Sequence, residues 1–141
     1  MLAILCAVLI TGIGGLIGAL VTTEGYEEQQ PPFAPPSWVF APVWTLLYVM
    51  MGVSLALLIN RDGKAALYWF GAQLLLNYAW TPVFFGLDSP ALALVVIVAL
   101  LGALLVTAVK AWEYSRLAAY LLVPYVVWVC FATVLNAAYV F

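Results

Sequence analysis

Long apolar runs dominate the chain, and short polar segments separate them. Five stretches carry no charged residue, and they cover residues 1–23, 29–60, 65–87, 89–109 and 117–141. A helix needs about 20 residues to cross roughly 30 Å of hydrocarbon, so each stretch is long enough for one crossing. Barrel strands alternate polar and apolar residues, and residues 92–109 show no such alternation.

The pattern therefore predicts an all-α fold, an integral membrane bundle of five transmembrane helices. Residues 1–141 form a single domain in this interpretation. The helices are expected at roughly 2–22, 37–59, 65–86, 90–110 and 117–140. The first stretch is predicted to be a mature helix rather than a signal peptide. It lacks a basic leading segment, and its apolar run exceeds the usual length of about 7–15 residues.

The longest connection, residues 22–37, combines Tyr26 with three glutamates and four prolines. Proline fixes φ and has no N–H group, so this segment is expected to be stiff and non-helical. Long loops in compact domains are often functional, which favours a lid over a cavity at the mouth of the bundle. A simple spacer is the alternative.

Composition excludes several classes of protein. The chain is 68% hydrophobic and 7% charged, with a mean hydropathy of +1.18, whereas soluble domains carry about a quarter charged residues. The absence of histidine excludes histidine triads, histidine zinc sites and histidine-ligated haem. Cys6 and Cys130 lie in apolar runs and are expected to be small buried hydrophobes, not a disulfide or metal pair. No metal site is predicted, and the net charge of −2 argues against nucleic acid as a partner.

The distribution of lysine and arginine predicts an orientation. All four basic residues lie in the connections 60–64 and 110–116, while the connections 24–37 and 87–90 carry only acids. Five crossings place both basic connections on the same side as the N-terminus. The positive-inside rule then puts the N-terminus inside and the C-terminus outside. The identity of the membrane stays open.

Polar and aromatic residues share one face on three of the predicted helices. Gln73, Asn77 and Trp80 are spaced i, i+4 and i+7, which is a single helix face. Amides cannot remain unpaired in hydrocarbon, so this face is expected to turn into the bundle. The second and fifth helices have comparable faces: Phe40, Trp44, Tyr48 and Met51 on one, and Tyr125, Trp128, Ala132 and Asn136 on the other.

These inward faces have two interpretations. They are either interhelical hydrogen-bonding groups or the lining of a pocket for a flat apolar ligand. No acid lies in mid-span, and the chain has no P-loop, nucleotide fingerprint or nucleophile elbow. An ion-coupled transporter would normally carry an intramembrane charge. A binder or carrier of an apolar ligand is therefore the favoured class.

Four segments in order along the chain resemble the translocator protein family, also called tryptophan-rich sensory protein or peripheral-type benzodiazepine receptor. They are PPFAPPSWVFAPVWTLLY at 31–48, QLLLNYAWTPVFFG at 73–86, LVPYVVW at 122–128 and FATVLN at 131–136. The resemblance implies a five-helix membrane protein, commonly a homodimer. It also implies binding of porphyrins such as protoporphyrin IX, of sterols in some members, and of synthetic isoquinoline carboxamides and benzodiazepines.

The resemblance also implies which residues bind the ligand. By position, Trp44, Tyr48, Asn77, Trp80, Trp128, Ala132 and Leu135 match the family's pocket. Together with the residues of the helix faces and the lid, the predicted ligand-binding set is Tyr26, Phe40, Trp44, Tyr48, Gln73, Asn77, Trp80, Phe84, Tyr125, Trp128, Ala132 and Leu135. Trp44 and Trp128 match tryptophans implicated in light-dependent porphyrin breakdown, so they are the candidates for a catalytic role.

Three functions are consistent with this sequence. The first is a receptor or carrier of protoporphyrin IX or another tetrapyrrole, in signalling or transport, with no required cofactor. The second is an enzyme that degrades porphyrin oxidatively in light, and the third is a structural or assembly protein. Tyr139 is followed by Val140 and Phe141 and by no basic residue, so the match to the sterol-recognition segment of animal members is incomplete. A non-animal source is therefore expected.

Overall fold

The chain folds into long helices, seen in a computed structural model that describes residues 2–20, 40–87 and 89–141. The helices are α1 (Leu2–Leu20), α2 (Phe40–Asn60), α3 (Lys64–Thr81), α4 (Pro90–Tyr114) and α5 (Arg116–Val140), and a π-helical turn at Pro82–Gly86 continues α3. The predicted all-α fold with five helices is confirmed. The proposed lid, residues 22–37 with Tyr26, lies outside the described residues.

Three of the described helices are long and apolar enough to cross a membrane by length and composition: α2 from Pro42, α4 and α5. Helix α3 is more polar because its inner face carries Gln73 and Asn77, whose side chains are 0% and 4% exposed. Both amides turn away from the surface, as amides in hydrocarbon must. The two amide side chains of α3 therefore lie inside the bundle and not against lipid.

The ends of the helices are set by local chemistry. The Oγ atom of Ser115 accepts a hydrogen bond from the Ala118 amide at 3.2 Å, which caps α5. Ser89 caps α4 in the same way, ahead of Pro90 at the first helical position. Helix α4 continues to Tyr114, four residues past its expected end at 110. Charged residues in the last turns of a membrane helix can reach water, so a charge does not mark the helix end.

Around the bundle the helices follow the order α1, α2, α5, α4, α3, and α3 closes the ring against α1. The centre is filled by large side chains that are at most 1% exposed, among them Met51, Phe70, Leu104 and Tyr125. Helices α1 and α2 approach closely at Gly52, where a methyl group would lie 2.3 Å from the backbone of Ala7. Such close packing is what holds membrane helices together, since lipid is as apolar as their side chains.

The two basic connections meet at one end of the bundle. Helix α2 ends in a Schellman motif, in which the Gly63 amide donates to the Leu58 carbonyl at 3.0 Å and Asp62 has a left-handed φ of 53°. Arg61 then donates to the Tyr114 carbonyl at 3.2 Å, and Gly63 leaves room for the Tyr114 ring. The connections after α2 and after α4 are therefore neighbours, as five crossings require.

The expectation for the two cysteines was half wrong. Cys6 is buried, but Cys130 is exposed on the surface of α5. In a membrane protein the lipid-facing surface is as apolar as the interior. An apolar run therefore does not tell which of its residues face inward.

Candidate functional site

Aromatic rings of α2 and α5 gather around Trp44. Its ring centroid lies 5.6 Å from that of Tyr48, one turn further along α2. The rings of Tyr125 and Trp128 on α5 each lie 6.2 Å from Trp44 and meet it edge-on, at 72° and 89°. Edge-to-face contacts of this kind add about 0.5–1.5 kcal/mol to the burial of each pair. The cluster therefore joins α2 and α5 through ring contacts.

A chain of hydrogen bonds runs behind these rings and connects α2, α3 and α5. The Tyr48 hydroxyl donates to Asn77 Oδ1 at 2.9 Å, and Asn77 Nδ2 donates to the Tyr125 hydroxyl at 2.6 Å. The Tyr125 hydroxyl then donates to Gln73 Oε1 at 2.9 Å. Finally, Gln73 Nε2 lies 3.9 Å from the sulfur of Met51. The chain thus satisfies both amides of the α3 inner face within the bundle.

A second group of polar and aromatic side chains lies at the end of α3. The indole N–H of Trp80 donates to Asn136 Oδ1 at 2.9 Å, and Asn136 Nδ2 donates to the Pro90 carbonyl at 2.9 Å. The rings of Trp80 and Phe84 stack with their centroids 5.0 Å apart, and Tyr139 meets Phe84 edge-on at 5.2 Å. Asn136 therefore ties α5 both to the end of α3 and to the start of α4.

The predicted site residues differ in their exposure. Trp44, Tyr48, Trp80 and Trp128 are half-buried. Gln73, Asn77, Phe84, Tyr125, Ala132 and Leu135 are buried. Tyr26 and the side chain of Phe40, which begins α2, lie outside the described part of the chain. The arrangement is a buried polar layer behind half-buried aromatic rings, with no formal charge on any of these side chains. Such a surface suits a planar, apolar molecule.

Two residues outside the predicted ligand-binding set support the cluster. Tyr78 donates its hydroxyl to the Ile10 carbonyl at 2.8 Å, and its ring lies 6.1 Å from that of Tyr48. Gly14 on α1 provides the space for Tyr48, because a Cβ atom there would fall 2.4 Å from the tyrosine ring. Tyr78 follows Asn77 directly in α3, and consecutive residues of a helix with 3.6 residues per turn point in different directions. Tyr78 therefore reaches α1, whereas Asn77 reaches α5.

Comparisons with known proteins match this architecture to one family. Residues 3–141 match the TspO/MBR family. The chain is 41% identical over 112 residues to the tryptophan-rich protein TspO of Chlorobaculum tepidum, an alignment that covers 76% of this chain and 71% of that protein. It is 37% identical to the tryptophan-rich protein TspO of Archaeoglobus fulgidus, over 88% of this chain and 86% of the relative.

An animal relative aligns over a similar length. The chain is 36% identical to the translocator protein of Bos taurus over an alignment of 140 positions, gaps included, that covers 91% of this chain and 82% of the relative. The chain therefore belongs to the TspO/MBR family, whose members are multi-pass integral membrane proteins built as bundles of five transmembrane helices.

Proposed function

We propose that this protein is a membrane receptor or carrier that binds protoporphyrin IX or a related tetrapyrrole between α2, α3 and α5. One observation carries the proposal. Trp44 is held against Trp128 and Tyr125, while Tyr48 beside it is fixed to Asn77 by a 2.9 Å hydrogen bond. Rigid aromatic side chains from facing helices are what a flat apolar ligand needs for stacking.

The buried polar layer supports a division of roles within the proposed site. Asn77 and Gln73 already have partners inside the bundle, so a ligand does not have to satisfy them. The half-buried rings of Trp44, Tyr48 and Trp128 are then the surface that the macrocycle contacts. The N-terminus and the basic end lie inside, and the protein forms a homodimer.

Tryptophan fluorescence tests the proposed site. Purified protein in micelles is titrated with protoporphyrin IX, and the quenching is corrected for absorption by the porphyrin. Trp44→Phe and Asn77→Ala should each weaken binding by about tenfold, equivalent to about 1.4 kcal/mol. Trp69→Phe is the matched control, because Trp69 lies on the outer surface of α3 and is 42% exposed.

Two results would count against this function. The pocket assignment is wrong if Trp44→Phe and Asn77→Ala bind with wild-type affinity while Trp69→Phe behaves identically. If saturating porphyrin leaves the unfolding temperature of the wild type unchanged, the structural or assembly role is favoured, because a ligand that binds only the native state must stabilise it.

A second candidate is light-dependent oxidation of bound porphyrin, which the family resemblance suggests for Trp44 and Trp128, whose ring centroids lie 6.2 Å apart. The excited porphyrin would pass energy to dissolved O₂. Addition of that O₂ across a methine C=C bond, with cleavage to two carbonyls, conserves all atoms. The test compares illuminated and dark samples for one defined product formed over several turnovers. Loss of the product in Trp44→Phe at saturating porphyrin would support a catalytic role. A mixture of products, unchanged by the variant, would indicate free photochemistry.

A further inference from the structure

An open groove lies between α4 and α5, away from the aromatic site. Its volume is about 430 Å³, and it is lined by Ala108, Val109, Trp112, Ala119, Tyr120 and Val123. These residues form one turn near the end of α4 and one turn near the start of α5. Both helices are long and apolar enough to span a membrane. The groove therefore opens toward lipid, close to one membrane surface.

Two aromatic rings form a corner of this groove. Trp112 is 44% exposed and Tyr120 is 60% exposed, and their rings meet edge-on with centroids 5.3 Å apart. Tryptophan and tyrosine prefer the headgroup level of a bilayer, where one end of the side chain is apolar and the other is wet. Trp112 and Tyr120 therefore place the groove just below the level of the lipid headgroups.

A cation lies at the mouth of the groove. The guanidinium carbon of Arg116 is 5.0 Å from the centroid of the Trp112 ring, a cation–π contact. Arg116 is exposed, so the ring fixes the guanidinium while leaving its donors open to other groups. Arginine in such a setting pairs well with phosphate, because its planar fork matches two phosphate oxygens.

Most of the other charged residues near Arg116 are also basic. All four basic residues of the chain lie in the segments 60–64 and 110–116 at this end, and the hydrogen bond from Arg61 to the Tyr114 carbonyl joins these two segments. Among the residues that the structure describes, the acids at this end are Asp62 and Glu113. Basic residues beside a membrane helix attract anionic lipids.

We propose that this groove is a binding site for one anionic phospholipid of the surrounding bilayer. The lipid phosphate pairs with Arg116, the glycerol region lies against Trp112 and Tyr120, and the start of an acyl chain fills the apolar floor between α4 and α5. The site is independent of the porphyrin site, since it uses different residues and opens at the outer surface.

The experiment uses the full chain in micelles with lipids brominated near the headgroup end of the acyl chain. Bromine quenches nearby tryptophan, so the part of the quenching that Trp112→Phe removes reports occupancy of the groove. Phosphatidylglycerol and phosphatidylcholine with the same chains are compared. The expected result is half-maximal quenching at about fivefold lower mole fraction of phosphatidylglycerol, the preference that one nearby cation gives.

Two pairs of variants separate a site from a general surface effect. Arg116→Gln should abolish the fivefold preference, whereas Lys64→Gln, at the same end of the bundle but outside the groove, should retain it. Val109→Phe should fill the groove and lower the quenching by both lipids. Val95→Phe is its control on α4, because the two valines are 66% and 65% exposed and Val95 is not part of the groove.

Equal quenching by the two lipids at equal mole fraction would overturn the proposal. So would an equal loss of preference in Arg116→Gln and Lys64→Gln, since this would assign the effect to the general surface potential. Retention of wild-type quenching in Val109→Phe would likewise exclude the groove as the site.

Discussion

The hydroxyl of Tyr125 is the central link of the polar chain, and its removal gives the sharpest test of the packing. It accepts a hydrogen bond from Asn77 at 2.6 Å and donates one to Gln73 at 2.9 Å. Tyr125→Phe deletes one oxygen atom and leaves the ring. Both partners are then left in the interior with one group unpaired, since Asn77 is 4% exposed and Gln73 is 0% exposed.

The expected cost follows from the two bonds that are lost. Interhelical hydrogen bonds in membrane proteins average about 0.6 kcal/mol and reach about 1.7 kcal/mol. Tyr125→Phe should therefore lower the free energy of unfolding by about 1–3 kcal/mol. The assay is reversible unfolding in mixed micelles with a rising mole fraction of sodium dodecyl sulfate, followed by circular dichroism.

The control is Tyr68→Phe, which removes a hydroxyl from a ring that is 78% exposed and should change stability by less than about 0.5 kcal/mol. The double variant Tyr125→Phe/Gln73→Leu should be less destabilised than the two single variants added together, because both changes remove the same bond. If Tyr125→Phe were as stable as Tyr68→Phe, or if its effect added fully to that of Gln73→Leu, the hydrogen-bond chain would not hold these helices together.

Three further predictions concern the rest of the bundle. Gly52→Ala should destabilise the protein by about 1–3 kcal/mol through overpacking against α1. The control Gly71→Ala, where a methyl group meets open space, should be neutral or stabilising. Unfolding in micelles compares the two variants, and equal effects would contradict the close approach of α1 and α2. Asp62→Gly should raise stability by up to about 1 kcal/mol because glycine adopts a positive φ without steric cost, and a loss of stability in the same assay would refute this. A hydrophobic fluorogenic maleimide should label Cys130 in folded protein and Cys6 only on unfolding, so equal labelling rates would disprove the assigned exposures.

The number of helices could be predicted because a membrane imposes one length on every span. The five uncharged stretches each satisfied that length, and the described helices lie within or close to them. The inward faces of α3 and α5 could be predicted for a related reason. Gln73, Asn77 and Asn136 each carry an amide that lipid cannot satisfy, so their direction was fixed before any partner was known.

The partners themselves could not be predicted. The Tyr48 hydroxyl reaches Asn77 across 29 positions of sequence, and Trp80 reaches Asn136 across 56. These pairings depend on how the helices are arranged around the bundle, which periodicity does not encode. The prediction that Cys130 is buried was wrong because apolar residues are equally stable against lipid and in the protein interior.

The arrangement of the candidate site links its stability to its proposed function. The polar groups of Asn77 and Gln73 lie behind the rings. A ligand that stacks on Trp44 and Trp128 therefore leaves the hydrogen bonds of Asn77 and Gln73 intact. Those bonds then act on ligand affinity by holding the rings in place. Weakening them in Tyr125→Phe should lower porphyrin affinity along with stability, because each bound complex must first restore the ring geometry that the wild type already has. A variant that lost stability but bound porphyrin more tightly would mean that the polar chain keeps the site closed instead of positioning its rings.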